Sequence, residues 1–298
     1  MLHKTSPSTG IGSAAVTGLY DATTGSIAYV AADPATAKCA LIDPVLDFDP
    51  AAARTRTTHA DALLDLVHAQ DLEVQWILDT HPHADHISAA SYLKGKTGAQ
   101  TAIGARVPDI AALWRKFYNM PDAFDVTADY DHLFAECDSF RIGDLPVRVL
   151  LSAGHTLASI SYVVGGDAAF VHDTLMQPDA GTARADFPGG SSDALYSSIH
   201  DILALPGDTR LFIGHDYGTK TRESPAWEAT VAQQKAHNIH VGGGTTRGDF
   251  IALRDARDAT LSLPDRMLAA LQMNLRAGRA PAPEDDGNSY LKIPLNRF

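Results

Sequence analysis

The period of the apolar positions changes several times along the chain, and the changes mark its elements. Near the start, Ser26-Ile27-Ala28-Tyr29-Val30 and Lys38-Cys39-Ala40-Leu41-Ile42 are short apolar runs on either side of the turn-rich Ala32-Asp33-Pro34-Ala35-Thr36. That arrangement predicts a β-hairpin, which Asp43-Pro44 closes. From Thr58 to Gln70, Leu63, Leu64, Leu66 and Val67 recur at helical spacing with Asp61 near the start, which predicts an amphipathic helix. Val74-Gln75-Trp76-Ile77-Leu78 predicts a buried strand, and Ile87 to Lys94 a helix whose first turn faces what precedes it.

The middle of the chain returns to strands: Val147–Leu151, Ile160–Val164 and Ala168–Val171, the last two joined by the hairpin signal Gly165-Gly166-Asp167. Asp193 to Ala204 predicts a helix and Arg210–Ile213 another strand. After Trp227 the pattern is mainly helical, through Ala229–Ala236, Asp249–Ala259 and Asp265–Ala277. Two runs of strands, each followed by helices, predict an α/β (α+β) architecture of two sheets packed face to face with helices outside. No linker divides the core, so residues 14–298 are expected to form one domain with a helical C-terminal elaboration from about 227. Residues 1–13, which lack an apolar signal core, are expected to be a loose tail.

Composition narrows the class. With 36 acidic and 24 basic residues the net charge is −12, so a phosphate backbone would be repelled and no nucleic-acid partner is expected. No stretch approaches the length of a transmembrane helix, so no membrane partner is expected either. Only Cys39 and Cys137 are present, and neither lies in a CxxC pair, which points to a reducing, cytoplasmic setting. Cys39 reads as a small buried residue, and Cys137, between Glu136 and Asp138, as a thiol whose pKa is raised.

Against this ordinary background, Thr80-His81-Pro82-His83-Ala84-Asp85-His86 is unusual: three imidazoles and a carboxylate in six residues, directly after a predicted strand. A strand end is where a rigid scaffold can hold several ligands around one cation, and imidazole with carboxylate suits zinc, iron or manganese. Three more candidates also follow predicted strands: His155 in Gly154-His155-Thr156, Asp173, and His215 after Gly214. Glycine before two of them lets the backbone turn sharply and approach closely. His172 should alternate to the other face of its strand and read as structural.

The pattern HxHxDH, then GHT, then an aspartate after an apolar strand, then GHD resembles the ligand set of the metallo-β-lactamase superfamily. The resemblance implies a four-layer αββα sandwich with two mixed sheets flanked by helices. Narrower features are similar to the persulfide (sulfur) dioxygenases, bacterial members included. These are Ile42-Asp43-Pro44-Val45, Asp173-Thr174-Leu175, the loop Gly181–Gly190, His215-Asp216-Tyr217, Lys235-Ala236-His237-Asn238 and Gln272-Met273-Asn274.

That resemblance implies an enzyme with one Fe(II) that oxidises glutathione persulfide, with O₂ and water, to sulfite and glutathione. It implies His81, His155 and Asp173 as the catalytic metal ligands, a set that leaves open positions on an octahedral ion. His83, Asp85, His86 and His215, which complete a second metal position in dinuclear hydrolases of the superfamily, become the surroundings of the iron. Arg184 is expected to offer a bidentate fork to a glutathione carboxylate, and Tyr217 a hydroxyl near the same pocket. The expected partners are the small-molecule substrate and O₂, with a homodimer as the assembly entertained.

Two departures matter. Pro82 stands where some members carry cysteine, and neither cysteine has the CxxGxR context of an attached rhodanese domain. The competing reading is a dinuclear Zn²⁺ hydrolase of a thioester, as in glyoxalase II, or of a lactone, using all seven ligands and a metal-bound hydroxide. His81-Pro82-His83 departs from the His-His-His associated with glyoxalase II, and the chain's end lacks a basic glutathione-binding tail.

Overall fold

A computed structural model describes residues 1–298. Alternation within the strands divides the interior into two cores. Along Ile27–Asp33, Ile27, Tyr29 and Ala31 point to one side while Ala28, Val30 and Ala32 point to the other. Along Lys38–Ile42, Ala40 and Ile42 oppose Cys39 and Leu41 in the same way. A strand buried on both faces must be covered on both, and period-two geometry sends successive side chains to opposite cores.

The first sheet runs Leu2–Ser6, Ala15–Tyr20, Ile27–Asp33, Lys38–Ile42, Glu73–Leu78, Gln100–Gly104 and His132–Phe134 in spatial order, antiparallel at the start and parallel from Lys38 onward. The second runs Ser139–Ile142, Leu145–Leu151, Ile160–Val164, Ala168–His172, Arg210–Ile213 and Glu228–Thr230, with one parallel pair between Ala168–His172 and Arg210–Ile213. Between the sheets lie Tyr29, Phe170 and Phe212, whose rings pack edge-on or stacked at centroid separations of 5.1–5.6 Å.

Helices Thr58–Ala69 and Val107–Tyr118 cover the outer face of the first sheet through Leu63, Val67, Ile110 and Trp114. Ser192–Leu203 and Arg247–Asp258 bring Leu195, Ile199, Ile202 and Phe250 to the second core. The result is the four-layer αββα sandwich. Cys39 is fully buried, and burial pushes its thiol up to about 12. Cys137 is exposed, with its thiol raised by Glu136. No helix is long and apolar enough to cross a membrane.

Two local expectations are corrected. The presumed tail contains the strand Leu2–Ser6, paired antiparallel with Ala15–Tyr20 and tied down where Arg210 donates to Ser6 Oγ and the Pro7 carbonyl. Its side chains Leu2 to Thr5 are exposed, so an edge strand held by backbone pairing left no apolar signal. At Ile87 the chain makes a two-residue strand against Val45 and Leu46, and the helix begins only at Ala90. Ser88 causes the delay: its hydroxyl donates to Asp79, its N–H donates to Asn274, and its oxygen accepts from the Ala90 N–H.

Candidate metal centre

The ends of the strands at one rim of the sandwich bring the candidate ligands together. Glu73–Leu78 and Lys38–Ile42 are parallel neighbours with Ile42 opposite Leu78, so Asp43 and the Thr80–His86 loop leave the sheet side by side. Asp43 adopts a φ of 49° and accepts from the Thr80 N–H at 2.7 Å, from Thr80 Oγ1 at 2.8 Å and from His83 Nε2 at 3.0 Å.

These contacts assign the tautomers. Thr80 has one hydroxyl proton, directed at Asp43, so His81 Nδ1, 3.0 Å away, is the donor to Thr80 Oγ1. The lone pair of His81 is left on Nε2. His83 donates through Nε2 to Asp43, and although burial opposes its charge that carboxylate raises its pKa to about 9, so a cation would bind at Nδ1 in place of the second ring proton. His155 Nδ1 lies 2.7 Å from the Arg184 carbonyl oxygen, which can only accept, so its lone pair is also on Nε2. Fixing the far nitrogen of a ligand histidine in this way sets its orientation and basicity.

The freed atoms converge. Asp173 Oδ2 lies 3.4 Å from His155 Nε2 and 3.7 Å from His81 Nε2. Metal–ligand bonds of about 2.0–2.2 Å would hold neighbouring ligand atoms roughly 3.0–3.4 Å apart, close to what is seen. His81 Nε2, His83 Nδ1 and His86 Nε2 are buried with no hydrogen-bond partner. An unmet buried polar atom costs about 1–3 kcal/mol, a cost that a bound cation removes. Burial, followed by the neighbouring His83, His172 and His155, holds the His81 pKa well below its ordinary value, so this imidazole is neutral and ready to coordinate.

His215 holds the other side of the rim. Its Nδ1 lies 2.5 Å from Asp173 Oδ1 and its Nε2 lies 2.6 Å from Asp85 Oδ2. Burial opposes its charge, but the two carboxylates outweigh burial and raise its pKa well above the ordinary value. For the same reason Asp173 and Asp85 are held below the usual carboxylate range despite their burial. Asp85 Oδ2 accepts from Ser26 Oγ and His86 Nδ1 as well. Close approach is essential here: a Cβ on Gly214 would sit 2.7 Å from Asp173 Oδ1.

Each residue proposed from the sequence is therefore accounted for. His81, His155 and Asp173 form one group of convergent donors; His83, Asp85 and His86 form a second; Asp85, Asp173 and His215 form a third. Arg184 lines the adjoining cavity, but its fork is already bound to Asp186, at 2.6 and 2.7 Å, and its third nitrogen to the Ser262 carbonyl. Tyr217 is 65% exposed at the cavity rim, its ring stacked on His215.

His172 differs from its expectation. A bulge between Phe170 and His172 and a φ of 41° break the alternation and bring its ring within 5.0 Å of His81.

Several residues that matter were not singled out as site residues. Asp43 is one, visible in the sequence only as part of Ile42-Asp43-Pro44. Asn274 is another: its Nδ2 donates to the carbonyls of both His83 and His86, and its Oδ1 accepts from the Ser88 N–H, each at 2.8 Å. Beneath the loop, Asp79 is buried, and burial pushes its carboxyl up to about 6 while Ser88 and Tyr130 donate to it. Beside His155 and Asp173 opens a cavity of about 520 Å³, walled in part by Arg254, Arg257 and His240 from the C-terminal elaboration.

Residues 23–215 match the family model described as the metallo-beta-lactamase superfamily. The chain belongs to that superfamily. It is 56% identical, over 94% of its length, to a beta-lactamase hydrolase-like protein of Xylella fastidiosa, and spans 64% of the length of that relative. It is 45% identical to a probable metallo-hydrolase of Burkholderia pseudomallei, covering 94% of this chain and 99% of the relative. It is 27% identical to the mitochondrial persulfide dioxygenase ETHE1 of Mus musculus, over 86% of this chain and 85% of that one. Among solved structures, ETHE1 from Myxococcus xanthus superposes with a TM-score of 0.70 at 30% identity, over 88% of this chain and 98% of that one. The chain thus carries the His/Asp cluster typical of this superfamily, placed where it could hold a metal.

Proposed function

We propose that this chain is a persulfide dioxygenase with one non-haem Fe(II), oxidising glutathione persulfide with O₂ and water to sulfite and glutathione. The observation that carries the reading is the position of His215. Both of its ring nitrogens are committed to carboxylates, one on Asp173 and one on Asp85. This supports His215 as the residue that orients Asp173 and Asp85 rather than as a metal donor, while His81, His155 and Asp173 bring three donor atoms together. The likeness to two ETHE1 proteins, one named a persulfide dioxygenase, supports the same reading.

With Fe(II) bound, two histidines and one carboxylate would leave positions open for persulfide sulfur and O₂ and supply the redox chemistry. The chain's own residues do the rest. Arg184 O and Thr80 Oγ1 hold the far nitrogens of His155 and His81, and His215 holds Asp173 Oδ1 so that Oδ2 faces the donors. Phe187 packs edge-on against His155 at 5.3 Å, and with Met176 and Leu261 it gives the cavity an apolar wall that limits water near the reacting sulfur.

A second reading is a dinuclear zinc hydrolase of a thioester or lactone. It is favoured by the His83, Asp85 and His86 donor group, by the orphaned His86 Nε2, and by the hydrolase names of the more similar relatives. Oxygen uptake and sulfite formation by the iron-loaded protein with glutathione persulfide test the proposal. Matched uptake and sulfite are expected; no uptake, together with two zinc ions per chain as purified, would replace it with the hydrolase.

A further inference from the structure

Three guanidinium groups line the cavity beside His155 and Asp173, and they are not equivalent. Arg184 is engaged with Asp186 and the Ser262 carbonyl. Arg254 is buried, bonded to Asp258 at 2.8 Å and to the Thr182 carbonyl at 2.9 Å. Arg257 has no carboxylate within ion-pair distance, and its one hydrogen bond is a 3.2 Å contact to Thr260 Oγ1. Charge in this cavity is also segregated. Its only acidic lining residues, Asp85 and Asp173, are at the metal end, where His215 sits between them.

His240 lies on the same wall. Its Nδ1 accepts from the Thr182 N–H at 3.0 Å, so the ring proton is on Nε2, which has no hydrogen-bond partner within the chain. Burial, with the charges of Arg254 and Arg257 adding to it, lowers its pKa to about 4, so the ring is neutral at physiological pH. A neutral N–H donor and an uncommitted guanidinium thus line one cavity, with no carboxylate of the chain's own to occupy them.

We infer that Arg257 and His240 form the anchor for a substrate carboxylate, so that this cavity selects persulfides carried on carboxylate-bearing thiols, the peptidic thiol class to which glutathione belongs. The inference rests on the dioxygenase reading for the persulfide end of the ligand; the carboxylate end is argued from the cavity alone. It assigns to Arg257 the contact that spacing along the chain suggests for Arg184. The Arg184 charge is already matched by the Asp186 carboxylate that fills one side of its fork, whereas the Arg257 charge is matched by no carboxylate and its side chain gives up only one weak neutral contact. The ordinary alternative is that Arg257, in the last turn of Arg247–Asp258, only complements the helix dipole. That role would alter helix stability and leave ligand selection unchanged.

The test is equilibrium binding of glutathione to the metal-loaded protein by calorimetry, beside steady-state kinetics with two persulfides: that of glutathione and that of 2-mercaptoethanol, which has no carboxylate. Arg257→Met is expected to weaken glutathione binding about tenfold to a hundredfold, the loss of a charge-assisted hydrogen bond. It should raise KM for glutathione persulfide by a similar factor with kcat little changed, and leave the 2-mercaptoethanol persulfide unaffected. Arg257→Lys should recover part of the affinity, and His240→Gln should give a smaller loss in the same direction. Glutathione binding within twofold of the parent in both Arg257→Met and His240→Gln would overturn the anchor, as would equal effects on the two persulfides. If neither persulfide is oxidised but glutathione binding still depends on Arg257, the dioxygenase reading falls and the anchor stands.

Discussion

His155 donates its Nδ1 proton to the backbone carbonyl of Arg184, 2.7 Å away. A proposed metal ligand is thereby oriented by the main chain of a loop whose Arg184 side chain is locked to Asp186 and Ser262. Arg184 acts on the centre from behind. Arg184→Ala should therefore weaken metal binding by about 10- to 100-fold, the range seen when the partner of a ligand is disturbed. Competition against a chelator measures it, and an unchanged metal affinity would show that the loop is held by other contacts.

Removal of single ligands should separate the two metal positions. His155→Ala is expected to lose iron, because it deletes a donor of the His81, His155, Asp173 group. His215→Ala should retain much of it, since His215 reaches the centre only through Asp173 Oδ1. Metal content by mass spectrometry after purification checks this, and parallel loss in both variants would argue for a dinuclear site.

Gly154 is a steric requirement. Its φ is 140°, and a Cβ there would lie 2.3 Å from the backbone nitrogen and Cα of Leu195. Backbone cannot rotate out of the way, so Gly154→Ala should push His155 off its position, destabilise the fold by about 1–3 kcal/mol and lower metal content. Chemical denaturation with a parallel metal assay would show both effects.

Asn274 ties the C-terminal helix Met267–Asn274 to the ligand loop with three hydrogen bonds. Asn274→Ala leaves two carbonyls and one N–H buried without partners, so a loss of about 3 kcal/mol or more is expected. The denaturant midpoint should fall with an unchanged slope, the signature of lower stability at constant exposed area. A change under 1 kcal/mol would mean that water satisfies these groups.

His240 gives a pH dependence of defined sign. Its pKa of about 4 in the folded protein lies below the unfolded value near 6.5. The unfolded chain therefore binds the extra proton between those values, and folding stability rises with pH across that window. The contribution of His240 is fully present above about pH 6.5 and is lost as pH falls through 4. Denaturation midpoints at pH 7.5, 5.5 and 4.5 should converge between the parent and His240→Gln as the pH drops. A gap that does not narrow would show that His240 is not held neutral.

Much of the site was legible along the chain because ligands follow strands. Strand ends show up as apolar runs that stop, and a histidine just beyond a stop is visible without coordinates; His81, His155, Asp173 and His215 all fit this description. The edge strand Leu2–Ser6 was not legible, since its stabilisation is backbone pairing and its side chains face water. Nor was the side on which His172 lies, because a bulge breaks the alternation from which a face is inferred. The true partner of Arg184 was only two residues away, yet proximity in sequence does not say whether Asp186 turns toward it.

The two-sheet architecture, the superfamily and the candidate donors were all readable from the sequence alone. These depend on local periodicity and on residue chemistry, both of which can be read in one dimension. Tertiary structure decided how the donors are used. Strand pairing set Asp43 beside Thr80, fixing which nitrogen of His81 and His83 is free, and packing of the C-terminal helices placed Asn274 under the loop and Arg257 beside the cavity. Tautomer, charge state and the availability of a guanidinium are set by neighbours distant in sequence, because electrostatics and hydrogen bonding act across space and take no account of the order of residues along the chain.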